Sequence, residues 1–243
     1  MTKEKVISLI SPKFKKGIAH RGLFDDSCTE NGVKAFKRAI EHDIPFEFDI
    51  HLTLDGELIV CHDENLVRTT GKEGIIEHLT SQEIRDNYRL LDGGVVPTLK
   101  EVIELNNERV PMVIELKVFE KNYKQIAAKL KEFLPLIKDK KNAMIISFDP
   151  RSLYPLRKEG FIRSLLLTHT YQYSWVFRHI VESIDIEDCL LEEKRYQKYA
   201  KKHYVNVWTI ETEAQIDKVL PYVDTITFQH MDPAIVDKKL STK

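Results

Sequence analysis

Pro45-Phe46-Glu47-Phe48-Asp49-Ile50-His51 alternates apolar and polar side chains residue by residue, and a period of two is the signature of a strand with two different faces. Glu47 and Asp49 share one face; Phe46, Phe48 and Ile50 share the other. The two phenylalanines fix their own face as buried, so in a closed sheet the carboxylates point inward. Two carboxylates on one face repel each other unless something positive stands between them. Downstream, Asp55-Gly56 between alternating apolar positions reads as a two-residue hairpin turn. Folding the strand back with Leu54 opposite Glu57 pairs residues whose numbers sum to 111, which sets His62 across from Asp49 on the same face.

Upstream, Gly17-Ile18-Ala19 is a short apolar run followed by His20-Arg21-Gly22, then by Glu30-Asn31. Val33 to His42 carries Val33, Phe36, Ala39 and Ile40 at helical spacing, giving strand, helix and strand by residue 51. Residues 52 to 97 interrupt that rhythm and are expected to form a small inserted subdomain, with Arg68-Thr69-Thr70-Gly71, a capping box at Thr80 and Glu83, and Asp92-Gly93-Gly94. Thr98 and Glu101 cap the next helix. Strands follow at Val110 to Val118, Ala143 to Phe148, Phe161 to Thr168, weakly at Cys189 to Leu191, then at Tyr204 to Ile210 and Val223 to Phe228. Tyr171 to Glu182 and Arg195 to Lys202 read as helices, Thr212 with Gln215 caps another, and Asp232-Pro233 starts the last. Eight strand and helix units in 243 residues predict one α/β domain, a TIM (β/α)8 barrel, better than an open doubly wound sheet.

Catalytic residues of such barrels sit at the carboxyl ends of the strands, and the candidates do so here. His20 follows the first strand, Glu47 and Asp49 lie in the second, and Val113, Glu115 and Lys117 share one face of the third. Three carboxylates converging in a barrel mouth with no thiolate on offer point to a hard divalent cation, magnesium or calcium.

Read in order, His20-Arg21-Gly22, Glu30-Asn31, Glu47-Phe48-Asp49, Leu52-Thr53-Leu54-Asp55-Gly56, His62-Asp63, Arg68-Thr69-Thr70-Gly71, Val96-Pro97-Thr98-Leu99, Glu115-Leu116-Lys117, Ser147-Phe148 and Val207-Trp208-Thr209-Ile210 resemble the glycerophosphodiester phosphodiesterase family. The likeness spans nearly the whole chain and is densest before residue 118. It implies a metal-dependent barrel enzyme that cleaves small-molecule glycerophosphodiesters to glycerol 3-phosphate and an alcohol, in lipid and glycerol metabolism. By position it implies Glu47, Asp49 and Glu115 as metal ligands, His20 and His62 as the acid/base pair, and Arg21 and Lys117 as phosphate binders. Glu30 reads as a partner of Arg21 or a brace behind the ligands, and Trp208 as a wall for substrate. The sequence departs from the family at Thr29, Gly32, Glu211 and Thr227-Phe228-Gln229-His230, loops that ring the mouth and bear on substrate choice.

The chemistry fits those residue types. A phosphodiester anion repels nucleophiles, so its nonbridging oxygens need positive charge from Arg21, Lys117 and a Lewis acid. Two histidines can supply and remove the protons near neutral pH, each worth about 10² to 10⁴ in rate. The remaining histidines, His42, His51, His78, His169, His179, His203 and His230, read as polar loop residues. A net charge of −1 and a pI near 6.8 advertise neither nucleic acid nor an anionic membrane surface. The apolar run Val6 to Ile10 is too short for a signal peptide or a spanning helix, so a cytoplasmic protein is expected. Three widely spaced cysteines, Cys28, Cys61 and Cys189, read as reduced thiols, the last two within strands. Oligomeric state stays open. Two rivals remain: a lysophospholipase D or sphingomyelinase D-like enzyme, for which no apolar loop plainly supplies an acyl entrance, and a catalytically silent barrel that senses a phosphodiester.

Overall fold

The computed structural model describes residues 1–242. Among them nine strands form one sheet: β1 (Ile18–Ala19), β2 (Phe46–Leu52), β3 (Leu58–Val60), β4 (Met112–Leu116), β5 (Ala143–Ser147), β6 (Ile162–Leu167), β7 (Ser183–Glu187), β8 (Val205–Ile210) and β9 (Thr225–Phe228). Eight are parallel neighbours, and β1 pairs with both β2 and β9, which closes the ring; β3 is an antiparallel flap on β2. The helices are α1 (Lys3–Leu9), α2 (Val33–Glu41), α3 (Val67–Thr70), α4 (Ser81–Asn87), α5 (Leu99–Asn106), α6 (Tyr123–Phe133), α7 (Pro150–Leu153), α8 (Lys194–Ala200), α9 (Glu213–Val219) and α10 (Pro233–Ser241). The architecture is the TIM barrel that the strand and helix alternation predicts.

The two faces of β2 do what their periodicity requires. Phe46 and Phe48 pack outward against Phe36 of α2, with ring centroids 4.9 and 5.7 Å apart, and burying each ring stabilises the fold by roughly 1.5–3 kcal/mol. The capping boxes of Thr80 with Glu83, Thr98 with Glu101 and Thr212 with Gln215 all form and fix the starts of α4, α5 and α9, at about 1 kcal/mol for each cap. Inside the ring, Val113, Met144, Ile146, Ile162 and Leu166 pack on Val6, Ile10 and Phe14, so the N-terminal segment plugs the end where the strands begin. The carboxyl ends remain open for chemistry. Between β3 and α5 a separate small core gathers Leu66, Ile76, Ile84, Tyr88 and Leu90 around Ile59 and Cys61.

Five expectations need correction. The hairpin pairs Ile50 with Val60 and Leu52 with Leu58, so residue numbers sum to 110 rather than 111, and Cys61 N–H, not His62, bonds Asp49 O at 3.1 Å. The cause is a three-residue loop: Thr53 N–H donates to Glu57 O at 2.9 Å, and Gly56, the last loop residue, takes φ +82°. His62 therefore lies beyond the strand. Tyr171 to Glu182 is not an α-helix but a 3₁₀ segment, Gln172–Ile180, and the following strand is Ser183–Glu187 rather than Cys189 to Leu191. Its inward residues Ser183, Asp185 and Glu187 are polar, which conceals a barrel strand from a search for apolar runs. Cys61 falls just past β3, and Cys189 is exposed on a 3₁₀ turn, Asp188–Glu192, so neither thiol is within a strand. His51, expected in a loop, is a buried residue of β2.

Candidate active site

Parallel pairing aligns Asp49 of β2 with Glu115 of β4 and Glu47 with Val113, which puts Asp49 and Glu115 side by side and Glu47 one inward step below. All three are buried, and one oxygen from each lies within 4.8 Å of the others. Lys117, one residue past β4, places Nζ 2.9 Å from Asp49 Oδ1 and 2.7 Å from Glu115 Oε1. Arg21 N–H donates to Glu47 Oε2 at 3.0 Å, and Arg21 Nε is 3.6 Å from Asp49 Oδ2. That amide reaches Glu47 because Arg21 adopts φ 55°, a left-handed conformation that ordinary side chains avoid at a cost of order 1–2 kcal/mol. Asn31 Nδ2 donates to Asp49 Oδ2 at 2.8 Å.

Burial, with Asp49 and Glu115 beside it, pushes the Glu47 carboxyl well above the usual range. Burial likewise pushes Glu115 up to about 7. For Asp49 burial acts in the same direction but is outweighed by Lys117, His62 and Arg21, which hold it well below the usual carboxylate range. Ionised together, the three carboxylates would exceed Arg21 and Lys117 by one negative charge, and Glu47 Oε1 is buried without a hydrogen-bond partner. An oxygen-only donor set with a free buried oxygen can hold a hard divalent cation.

A cavity of about 150 Å³ above the trio is lined by His20, Arg21, Glu47, His62, Glu115, Lys117 and Trp208, so the expected site residues converge, with Asp49 directly behind. The two histidines are braced differently. His20 Nδ1 lies 2.6 Å from Gln229 Oε1, while Gln229 Nε2 donates to Glu211 Oε1. A carboxylate can only accept, so the amide turns its oxygen to His20 and Nδ1 carries the proton. Burial and the adjacent Arg21 bring His20 down to about 4, so it is neutral at pH 7. His62 Nδ1 instead faces the Asp63 carboxylate at 2.6 Å. Burial resists the charge on Asp63, but Arg68 and His62 overcome it and bring Asp63 down to about 2. Arg68 also forks onto Glu30 with two contacts of 2.8 Å, and Glu30 accepts from Arg21 Nη1 at 2.8 Å. Glu30 thus ties the brace of His62 to the arginine beside His20.

Sequence reasoning read His51 as a polar loop residue, gave Asn31, Asp63 and Arg68 no role beyond the motifs that contain them, and read Glu211 and Gln229 only as departures that bear on substrate choice, whereas Gln229 contacts His20. His51 was detectable, since it continues the inward set Glu47, Asp49; its ring binds Glu77 Oε1 at 2.6 Å and His62 O at 3.1 Å, which anchors the His62 backbone. The others depend on contacts between distant loops and left no periodic signal.

On the wall of the same cavity, Asp185 accepts from Ser164 Oγ at 2.6 Å and Asn206 Nδ2 at 2.9 Å. Burial pushes it up to about 6 from 3.8. Between those values the native state holds a proton that the unfolded chain has lost, so stability falls as pH rises from about 4 to about 6 and stays lower above. The difference is worth up to about 3 kcal/mol. Asp185→Asn is expected to raise the melting temperature by several degrees at pH 7.5 and to do nothing at pH 3.5. Melting curves offset equally at both pH values would refute it.

Barrel and constellation together define a class: (β/α)8 proteins with a buried carboxylate trio and a histidine pair at the carboxyl ends of the strands. The chain belongs to the glycerophosphoryl diester phosphodiesterase family, whose model matches residues 20–232. It is 37% identical over 153 residues to a glycerophosphodiester phosphodiesterase of Caldanaerobacter subterraneus subsp. tengcongensis, covering 58% of this chain and 61% of that protein. It is 34% identical over 147 residues to one from Bacillus altitudinis, covering 57% of this chain and 60% of that protein. The chain thus spans about 60% of the length of these relatives. Among solved structures, a glycerophosphodiester phosphodiesterase from Parabacteroides distasonis matches with a TM-score of 0.75 and 25% identity, over 93% of this chain and 96% of that one. An Oleispira antarctica phosphodiesterase, solved in complex with the product sn-glycerol-3-phosphate, shares the fold with a TM-score of 0.78 and 22% identity, over 98% and 99% of the two chains.

Proposed function

We propose that this protein hydrolyses glycerophosphodiesters to glycerol 3-phosphate and an alcohol, with Glu47, Asp49 and Glu115 holding a divalent cation, magnesium or calcium, and His20 and His62 as the acid/base pair. The observation that carries the reading is the convergence of that carboxylate trio, two separately braced histidines and two cations on one small cavity. Family membership and the product-bound Oleispira antarctica neighbour support it.

Arg21 and Lys117 bind the nonbridging oxygens by charge-assisted hydrogen bonds. A bound cation supplies Lewis-acid polarisation of the phosphate. His20 is neutral with its proton on Nδ1, which leaves Nε2 as the free base for an attacking hydroxyl. Burial lowers the His62 pKa below its ordinary value, but Asp49 and the Asp63 carboxylate behind Nδ1 oppose the fall, so its protonated form is the better supported of the two, and it gives its proton to the departing alcohol. Trp208 walls the cavity, and Glu30 keeps Arg21 and Arg68 in place.

Release of glycerol 3-phosphate from glycerophosphocholine, followed by coupled oxidation, tests the activity; absence of product with magnesium, calcium and manganese all supplied would overturn it. The role assignment has its own check. Asp63→Asn removes the charge that favours protonated His62, so its pKa falls and the descending limb of the kcat profile is expected to move to lower pH, with about a tenfold loss at pH 8. Movement of the ascending limb instead would make His62 the base.

A further inference from the structure

Apart from the carboxylate trio, a second set of donor side chains meets where β6 and β7 end. Registry of Leu167 with Ile186 brings the two chain ends out side by side. Beyond β6, Thr168 Oγ1 accepts from the amides of Thr170 and Tyr171 at 3.2 and 3.0 Å, which fixes the turn carrying His169. Glu187 closes β7; its Oε2 accepts from the His169 amide at 2.8 Å and lies 2.7 Å from His169 Nδ1. Cys189 follows on the 3₁₀ turn Asp188–Glu192 and is exposed. An imidazole nitrogen, a carboxylate oxygen and a thiol sulfur thus come within 4.8 Å of one another. The donors match no zinc motif in the sequence, because the pairing of β6 with β7, not their spacing, assembles them.

We propose that His169, Glu187 and Cys189 form a binding site for a borderline-soft dication, zinc, separate from the trio. Donor chemistry decides the metal. The trio offers oxygen alone and suits magnesium or calcium, whereas imidazole together with thiolate favours zinc and discriminates against both. Bonds of about 2.0 to 2.3 Å to one tetrahedral centre need donors about 3.5 Å apart. The His169 side chain is 63% exposed, so a rotation of its ring toward Cys189 closes the remaining distance at little packing cost, while the His169 amide keeps Glu187 in place. On binding, the Cys189 S–H bond is exchanged for a metal–sulfur bond and its proton passes to solvent; His169 keeps a proton on the ring nitrogen turned away from the metal. Water completes the tetrahedron. The cation clasps both roots of the loop between β6 and β7, and so anchors the 3₁₀ segment Gln172–Ile180 at its two ends. None of this depends on the hydrolase reading.

The test titrates reduced protein in saturating magnesium with cobalt(II), a zinc surrogate whose absorption reports its ligands. One equivalent should bring up a thiolate-to-cobalt charge-transfer band in the near ultraviolet together with the intense visible bands of tetrahedral cobalt, and zinc should bleach both. Cys189→Ser should abolish the charge-transfer band. His169→Ala and Glu187→Gln should each weaken zinc binding, read by calorimetry, at least about tenfold. Glu47→Gln should leave the band and the affinity unchanged. Zinc should also raise the melting temperature of the parent in saturating magnesium but not that of Cys189→Ser, and equal melting of the two without zinc shows that the variant folds. A band that survives Cys189→Ser places the cobalt on another cysteine, and zinc binding lost in Glu47→Gln but kept in His169→Ala places the zinc at the trio. Either result, or no band at one equivalent, overturns the proposal.

Discussion

Excess chelator is expected to bring turnover of glycerophosphocholine to background, and magnesium, calcium or manganese to restore it. The prediction follows from the surplus negative charge of Glu47, Asp49 and Glu115 over Arg21 and Lys117, and from the partnerless Glu47 Oε1. A group that binds the native state alone, at a hundred times its Kd, adds about 2.7 kcal/mol. For a chain of this size that corresponds to about 5 to 10 °C in melting temperature, read by calorimetry without any substrate. Glu47→Gln should abolish the rise, because it removes a ligand charge. In chelator the same variant should melt higher than the parent, since it relieves repulsion between buried carboxylates. Undiminished turnover in chelator, or an equal melting shift in Glu47→Gln, would refute the assignment.

A substrate in which the hydroxyl next to the phosphate ester has been removed or methylated is expected to lose at least about a thousandfold in kcat/KM. An internal nucleophile held in place carries an effective molarity of about 10⁵ M or more, and such a substrate forfeits it. On the proposed mechanism the neighbouring oxygen would bond to phosphorus as the bond to the head-group oxygen breaks, His20 taking the attacking proton and His62 supplying one to the leaving alcohol; water would then open the cyclic phosphate with the roles exchanged. Slow His20→Ala or His62→Ala variants should release some cyclic phosphate, detectable by phosphorus NMR. A deoxy substrate cleaved at the normal rate would mean direct attack by water.

The parts of this architecture written in local pattern were legible beforehand. The alternation around Glu47 and Asp49 predicts their strand and its inward face, and each Thr-led box marks a helix start. Parallel registry of Asp49 with Glu115 follows once both strands are assigned to adjacent places in one barrel. What escaped is what local pattern does not encode. The hairpin register turned on whether the loop has two residues or three, a choice Asp55-Gly56 permits both ways. β7 was displaced because Ser183 and Asp185 face a polar interior, against the rule that buried strands are apolar. Gln229 and Glu211 meet only because β8 and β9 end side by side, so their bearing on the His20 proton is a property of the tertiary fold alone.

The ring closes through its shortest strand. β1 contributes only Ile18 and Ala19, yet it joins β2 on one side and β9 on the other, and Thr225 Oγ1 donates to Phe14 O at 2.6 Å across most of the chain. During synthesis the segments carrying Glu47, Asp49 and Glu115 leave the ribosome long before Phe228. Until that last strand arrives the half-built sheet keeps an open edge, so the final seam, not the chemistry-bearing strands, sets when the carboxylate trio is enclosed.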